Sequence, residues 1–133
     1  MAQSYFKARH STTKLVAHFV FTTRYRRKLL SEKVRGDLAV IFSDICDYRD
    51  CELIEFNGEE DHVHLLVQYP PQLSISDLVN VFKAISSRRI RKSHAELTKQ
   101  ANKGVLWSRA YFACSAGGAT IDVLKEYIEN QGA

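Results

Sequence analysis

Two histidines that flank one apolar residue are the strongest candidates for chemistry in this sequence. They lie in the segment EEDHVHLLVQY, residues 59–69. Successive side chains of an extended strand alternate between its two faces, so His62 and His64 share one face, while Val63 lies on the other. Imidazoles are common metal ligands, so this pair is a candidate site for a divalent metal ion; taken alone, the two residues fit hydrogen-bonded surface or core histidines at least as well.

The C-terminal segment offers a third ligand and a nucleophile. Two imidazoles leave most positions of a six-coordinate Mg²⁺ or Mn²⁺ ion to oxygen ligands. Tyr127 and Gln131 are four residues apart in a predicted helix, so they lie on one helix face about one turn apart. The amide oxygen of Gln131 is a neutral ligand, and the hydroxyl of Tyr127 is a candidate nucleophile. The oxygen ligand could instead come from the acidic turn before the strand: Glu59, Glu60 and Asp61.

The hydrophobic patterns predict elements in the order β-α-β-β-α-β-α. The predicted strands are 14–26, 51–57, 62–69 and 105–114, and the predicted helices are 31–48, 74–94 and 121–131. Residues 1–12 are predicted to be a loose arm, and 95–105 are either helix or loop.

Without its last helix, this order predicts an α+β fold with a ferredoxin-like or RRM-like antiparallel sheet (β-α-β-β-α-β) and two helices on one face. We expect His62 and His64 on the other face, and a C-terminal helix carrying Tyr127. His18, on the first strand, faces either this site or the core.

Length and composition indicate one domain spanning 1–133 that does not require disulfides. The chain has 133 residues, of which 45% are hydrophobic, and three cysteines without a C-x-x-C spacing. An odd number of such cysteines is typical of free thiols in a reducing compartment. Neither a membrane-spanning apolar run nor a secretory signal is present in the sequence, and we therefore expect a cytoplasmic protein.

The basic residues indicate a nucleic-acid partner. The net charge is +4, and much of the positive charge is concentrated in the segments TRYRRK and SSRRIRK. Clustered arginine beside an aromatic residue is typical of single-strand binding. The candidate phosphate contacts are Arg24, Arg26, Arg27, Arg88, Arg89, Arg91 and Lys92. Trp107 and Tyr111 are candidates for stacking on unpaired bases, although a core position is favoured over stacking for Trp107.

The combination of DHVHLLV with YIENQ near the end of the chain resembles the single-tyrosine HUH transposases of small bacterial insertion sequences, relatives of TnpA and of the REP-associated tyrosine transposases. HUH denotes His, a hydrophobic residue and His. The segments FVFTTRYRRKLL and LWSRAYFACSAGGATID are also similar to that family. The resemblance covers about 13–131.

The resemblance implies a DNA transposase whose metal ligands are His62, His64 and Gln131 and whose catalytic nucleophile is Tyr127. Such an enzyme uses Mg²⁺ or Mn²⁺ and no nucleotide cofactor. It cleaves single-stranded DNA at hairpin-containing ends and leaves a 5′-phosphotyrosine and a free 3′-hydroxyl. The family is homodimeric, and its tyrosine helix can serve the site in cis or in trans. Gly117 and Gly118 are placed as the hinge of that helix.

Three other functions compete with this interpretation to different degrees. A non-catalytic RNA- or single-strand-binding module on the same sheet remains an alternative, although the RNP1 pattern is absent. A 2H phosphoesterase would need two His-x-Ser/Thr motifs, which the HVH segment does not provide. A domesticated relative acting on genomic palindromes fits the residues equally well. The target sequence and the physiological metal are not encoded in these motifs.

Overall fold

The computed structural model describes residues 5–100, 105–115 and 129. Its strands are β1 Phe6–Lys7, β2 Thr12–Thr13, β3 Leu15–Thr22, β4 Glu52–Glu59, β5 His62–Tyr69 and β6 Phe112–Ser115. Its helices are α1 Glu32–Tyr48, α2 Ile75–Ser93 and α3 Glu96–Gln100, and a short 3₁₀ turn spans Arg24–Arg26. The predicted helix over 121–131 lies outside the described residues, apart from Glu129, which is helical.

Four strands form an antiparallel sheet in the order β4-β5-β3-β6. The strand with the two histidines, β5, is therefore internal and pairs with β3 along its whole length. The predicted α+β fold with an antiparallel sheet is confirmed. The predicted loose arm over 1–12 is only partly described: from residue 5 onward it includes β1, which pairs with β2 as a small antiparallel ribbon.

One face of the sheet is covered by α1 and α2, which also pack against each other. Side chains of β3 and β5 that point to this face are fully buried, among them Phe19, Phe21 and Leu65. The rings of Phe19 and Phe21 contact that of Phe82 on α2. The core thus fixes which residues of β3 and β5 are left for the opposite face.

Each of these helices begins directly after a serine N-cap, which is the first residue of its predicted range. The hydroxyl of Ser31 accepts a hydrogen bond from the Val34 amide at 3.2 Å, and that of Ser74 accepts one from the Asp77 amide at 3.1 Å. Such caps satisfy amides that the first helical turn leaves without a partner. The ambiguous segment after α2 contains the short helix α3.

Two predicted strands are shorter in the structure. The first ends at Thr22, because Tyr25 and Arg26 have φ angles of 60° and 51° that break an extended strand. The strand predicted at 105–114 pairs regularly only over Phe112–Ser115, with one isolated bridge from Trp107 to Thr23. Both differences lie where the chain turns beside the histidines.

Two further expectations concern cysteines and membrane spans. Cys46, Cys51 and Cys114 are free thiols, as predicted. Within the described ranges, none of the helices combines the length and apolar character needed to cross a bilayer.

Candidate active site

The two histidines of β5 lie on the sheet face opposite α1 and α2. Val63 between them is completely buried in the core, so the alternation of the strand turns both imidazoles to the other side. The register places His64 opposite Val20 and His62 opposite Thr22 on the neighbouring strand β3. Both histidines are only partly exposed.

The imidazole of His62 is held by the residue that precedes it. Its Nδ1 lies 2.9 Å from Oδ1 of Asp61, and the two side chains are 13% and 16% exposed. Burial acts to raise the pKa of Asp61, but hydrogen bonds from His62 and Arg26 outweigh it and lower that pKa overall. With Nδ1–H donating to the carboxylate, Nε2 of His62 carries the lone pair that a metal ion requires.

The imidazole of His64 is paired with His18, whose orientation the sequence leaves open. Nδ1 of His18 lies 2.8 Å from Nε2 of His64, and the rings are stacked with centroids 5.0 Å apart. Burial lowers the pKa of His64, and the positive potential of His18 lowers it further. His64 is therefore neutral at neutral pH, as a metal ligand must be.

The surroundings of the histidines fit a divalent ion but supply only part of its coordination. The hydroxyl oxygen of Thr22, opposite His62, is buried without a hydrogen-bond partner among the described residues. Across the other edge of β5, the register places Asn57 opposite His64 and Glu59 opposite His62. In the described part of the chain, however, no group of three His, Cys, Asp or Glu side chains is arranged to hold a metal.

One contact joins this site to the C-terminal segment. The Nη1 of Arg26 donates to the backbone carbonyl of Glu129 at 3.3 Å, while its Nε donates to Asp61 Oδ2 at 2.9 Å. Glu129 lies two residues from both Tyr127 and Gln131 in the sequence. Those two residues and the predicted hinge, Gly117 and Gly118, lie outside the described residues.

The turn after β3 exposes the ring of Tyr25 between two arginines. Tyr25 is not among the residues that the sequence predicts to stack on bases. Tyr25 is 65% exposed, and the guanidinium groups of Arg24 and Arg27 lie 5.2 and 5.7 Å from its ring centroid. Its positive φ is uncommon for a residue with a side chain. An exposed ring flanked by cations is suited to bind an unpaired base together with its phosphates.

The second basic cluster, formed by the SSRRIRK segment of α2, lies away from the histidines. Arg88, Arg89 and Lys92 are exposed on α2, in the helical layer that covers the face opposite the histidines. Arg89 pairs with Asp44 at 3.0 Å, and Arg91 donates to the carbonyl of Ser87 on its own helix. The structure therefore brings only the Arg24–Arg27 cluster next to the histidine strand.

Of the two roles that the sequence offers for Trp107, the structure shows the core position and no exposed ring for base stacking. Its side chain is 4% exposed and belongs to the hydrophobic core. The indole N–H donates to the hydroxyl of Ser86 at 2.9 Å, so its polar atom is already satisfied. Tyr111 is 39% exposed and remains open to a ligand.

Replacing Trp107 by phenylalanine should destabilise the fold without changing single-strand affinity. The variant leaves the fully buried hydroxyl of Ser86 without the indole N–H and should cost about 1–3 kcal/mol in unfolding free energy. Urea unfolding measures that cost, and titration of the folded variant with labelled single-stranded DNA measures affinity. A loss of affinity in the fully folded variant would restore the stacking role.

This chain is similar in sequence to known transposases over nearly its whole length. A family model described as "Transposase IS200 like" matches residues 11–131. The ISDra2 transposase TnpA of Deinococcus radiodurans is 31% identical over 125 residues, covering 94% of this chain and 89% of the relative. The transposase for insertion sequence element IS200 of Salmonella typhimurium is 25% identical over 122 residues, covering 92% and 80%.

Two solved structures are also similar. A crystal structure of a protein assigned as a transposase from Deinococcus radiodurans R1 superimposes with a TM-score of 0.88 at 33% identity, covering 96% of this chain and 98% of that one. A REP-associated tyrosine transposase bound to a REP hairpin has a TM-score of 0.57 at 14% identity, covering 96% and 76%. The second likeness concerns the fold alone.

These matches extend over nearly the whole chain and confirm the resemblance indicated by the HVH and YIENQ segments. The matching family consists of HUH tyrosine transposases, which are generally metal-dependent. The chain belongs to the IS200-like transposase family.

Proposed function

We propose that this protein cleaves and rejoins single-stranded DNA at the hairpin-containing ends of an insertion sequence, through a 5′-phosphotyrosine intermediate. In this proposal a ferredoxin-like sheet presents His62 and His64, and a C-terminal helix brings Tyr127 and Gln131 to them. The observation that carries the proposal is the hydrogen bond from Arg26, which also contacts Asp61 beside His62, to the carbonyl of Glu129, a residue two positions from Tyr127 in the sequence.

The residues that would hold a divalent Mg²⁺ or Mn²⁺ ion are His62, His64 and Gln131. His62 offers Nε2, because Asp61 occupies its Nδ1. His64 is neutral at neutral pH, since burial lowers its pKa, but its Nε2 contacts His18 in this conformation. When bound, the ion would offset the negative charge that builds up on the phosphate oxygens in the transition state.

The covalent step is carried by Tyr127. Its phenolic oxygen attacks the phosphorus of one phosphodiester and loses its proton, while the bond from phosphorus to the 3′ oxygen breaks and that oxygen leaves as a protonated hydroxyl. The ester stores the energy of the broken bond, so a 3′-hydroxyl from another end can reverse the step without a nucleotide cofactor.

Two chains would act together. Each chain contributes one Tyr127, whereas moving a segment requires cleavage at both of its ends. We therefore expect a homodimer. Gly117 and Gly118 would allow the tyrosine helix to serve its own chain or the partner.

The DNA would reach the histidines past the turn that follows β3, where Arg24 and Arg27 flank the ring of Tyr25. The hairpin substrate is supported by the REP-associated relative, which was solved with a REP hairpin. To test the substrate, purified protein and Mn²⁺ are incubated with labelled strands from both flanks of the gene. Covalent protein–DNA product is expected from single strands with intact hairpins. Equal product from strands whose hairpin stems are disrupted would contradict a hairpin substrate.

Removing the exposed aromatic ring should weaken single-strand binding. Base stacking on an aromatic side chain contributes about 1–3 kcal/mol, so Tyr25→Ala should raise the Kd for single-stranded DNA by about fivefold to 150-fold. Tyr25→Phe keeps the ring and should retain most of the affinity. The matched control is Tyr48→Ala, because Tyr48 is 88% exposed on α1. Fluorescence anisotropy with a labelled strand measures each Kd, and equal values for the two alanine variants would exclude stacking on Tyr25.

A further inference from the structure

We propose that Arg26 and Asp61 are positioning residues that hold the imidazole of His62 in its metal-binding orientation, and that Arg26 does not contact DNA phosphate. This inference rests on the proposed function, in which His62 is a metal ligand. It assigns Arg26 a role different from the one its basic neighbours indicate.

The carboxylate of Asp61 is fully engaged between two side chains. Oδ1 lies 2.9 Å from Nδ1 of His62, and Oδ2 accepts from Nε of Arg26 at 2.9 Å. All three side chains are at most 25% exposed. A carboxylate that accepts from one imidazole nitrogen fixes the ring's tautomer and orientation, and the other nitrogen is then directed at the ligand.

The backbone also fixes Asp61 in place. Its carbonyl accepts hydrogen bonds from the backbone amide of Thr23 at 2.9 Å and from the Thr23 hydroxyl at 3.2 Å. Thr23 is completely buried. The backbone of Asp61 is therefore held next to the end of β3. Arg26 reaches the Asp61 carboxylate from the same end of that strand.

The turn that delivers Arg26 is strained. Tyr25 and Arg26 have φ angles of 60° and 51°, a left-handed conformation that is unfavourable for a residue with a side chain. Such strain persists only where surrounding contacts determine the backbone. Here the turn allows Nε of Arg26 to meet Asp61 while Nη1 meets the carbonyl of Glu129.

Only arginine suits this position. The guanidinium presents donors in a rigid planar fork, and two directions of that fork are occupied by protein acceptors. A lysine ammonium would reach one acceptor but would not hold both in fixed geometry. Arg27, which follows Arg26 in the chain, is exposed at the surface and keeps its assignment as a candidate phosphate contact.

The test measures Mn²⁺ binding to the protein without DNA, by isothermal titration calorimetry. We expect Arg26→Gln and Asp61→Asn each to raise the Mn²⁺ Kd by about tenfold or more. The double variant should be no weaker than the weaker single variant, because both changes break one network. Arg26→Lys should fall between wild type and Arg26→Gln. Lys28→Gln, which removes the same charge from the same exposed turn, should leave the Kd unchanged.

The opposite result identifies a phosphate contact. If Arg26→Gln binds Mn²⁺ as wild type does, but loses affinity for single-stranded DNA and reduces the salt slope by about one, the proposal is overturned. Additive losses in the double variant would equally exclude a shared network.

A second readout separates this inference from the proposed function. In ¹⁵N-edited NMR of the metal-free protein, the His62 ring should lose its preference for the Nδ1–H tautomer in Asp61→Asn, with the signal assigned by comparison with His62→Gln. If wild type shows no Mn²⁺ site, the proposed function fails, and the tautomer still tests the positioning. If the His62 tautomer is the same with and without the Asp61 carboxylate, the positioning role is wrong.

Discussion

Tyr127→Phe is expected to abolish the covalent protein–DNA product. Phenylalanine has no oxygen to form the ester with the 5′ phosphate, so no adduct can form at this position. Loss of a covalent nucleophile typically removes most of the rate enhancement, and strand cleavage should fall by at least about a thousandfold. A denaturing gel of labelled single-stranded DNA with Mn²⁺ measures both adduct and cleaved strand.

Tyr48→Phe is the matched control for the loss of one tyrosine hydroxyl, since Tyr48 is exposed on α1. It should form adduct at the wild-type rate. Cleavage that survives in Tyr127→Phe would identify water as the nucleophile and would make the protein a metal-dependent hydrolase instead.

His64→Ala is expected to remove metal-dependent cleavage while leaving DNA binding nearly intact. The change deletes one of the two imidazoles on the β5 face, and losing a ligand from an ion with few protein ligands should lower the cleavage rate by at least about a hundredfold. Adduct formation is measured across a Mn²⁺ titration, and strand affinity is measured in EDTA.

His10→Ala controls for the loss of a histidine as such, because His10 is exposed in the turn between β1 and β2. This variant should match wild type at every Mn²⁺ concentration. Wild-type cleavage by His64→Ala would contradict a metal site on this face. A parallel loss of cleavage and of metal-free DNA affinity would indicate that His64 acts in DNA binding.

The sequence predicts the histidine strand well, because its pattern depends on local chemistry alone. Val63, Leu65 and Val67 occupy every second position, with His62, His64 and Gln68 among the residues between and beside them and Leu66 as the one apolar exception, and the structure buries Val63, Leu65 and Val67 completely. Because side chains of a strand alternate between its two faces, burying Val63, Leu65 and Val67 in the core places His62 and His64 on the opposite face.

The partners of the histidines could not be predicted in the same way, because they depend on tertiary register. His18 is 46 residues from His64, and Arg26 is 35 residues from Asp61. No sequence periodicity connects residues at such separations, and the basic run TRYRRK reads equally as a phosphate-binding cluster. The adjacency of Asp61 to His62 was the one available signal, since an acidic residue beside a ligating histidine is a frequent second partner of its ring.

The turn after β3 shows why the predicted end of the first strand differs from the observed one. Thr23 and Tyr25 extend the β-branched and aromatic pattern of the strand past Thr22, and neither they nor Arg24 are typical turn residues. The left-handed conformation of Tyr25 and Arg26 arises from contacts with Asp61 and with the segment around Leu106 and Trp107. The sequence leaves a stacking role open for Trp107 for a related reason, because its burial depends on how that segment packs against the core.

The most direct test of the central claim is to locate the covalent attachment on the chain. Protein is incubated with Mn²⁺ and single strands from both flanks, the DNA is trimmed with nuclease, and tryptic peptides are analysed by mass spectrometry. The peptide that follows Lys125 contains Tyr127 as its sole tyrosine. The account predicts that this peptide carries a nucleotide joined to Tyr127 through its 5′ phosphate. The modification should be absent without metal and absent in His64→Ala. Cleaved DNA with the nucleotide on another peptide, or with no modified peptide, would contradict it.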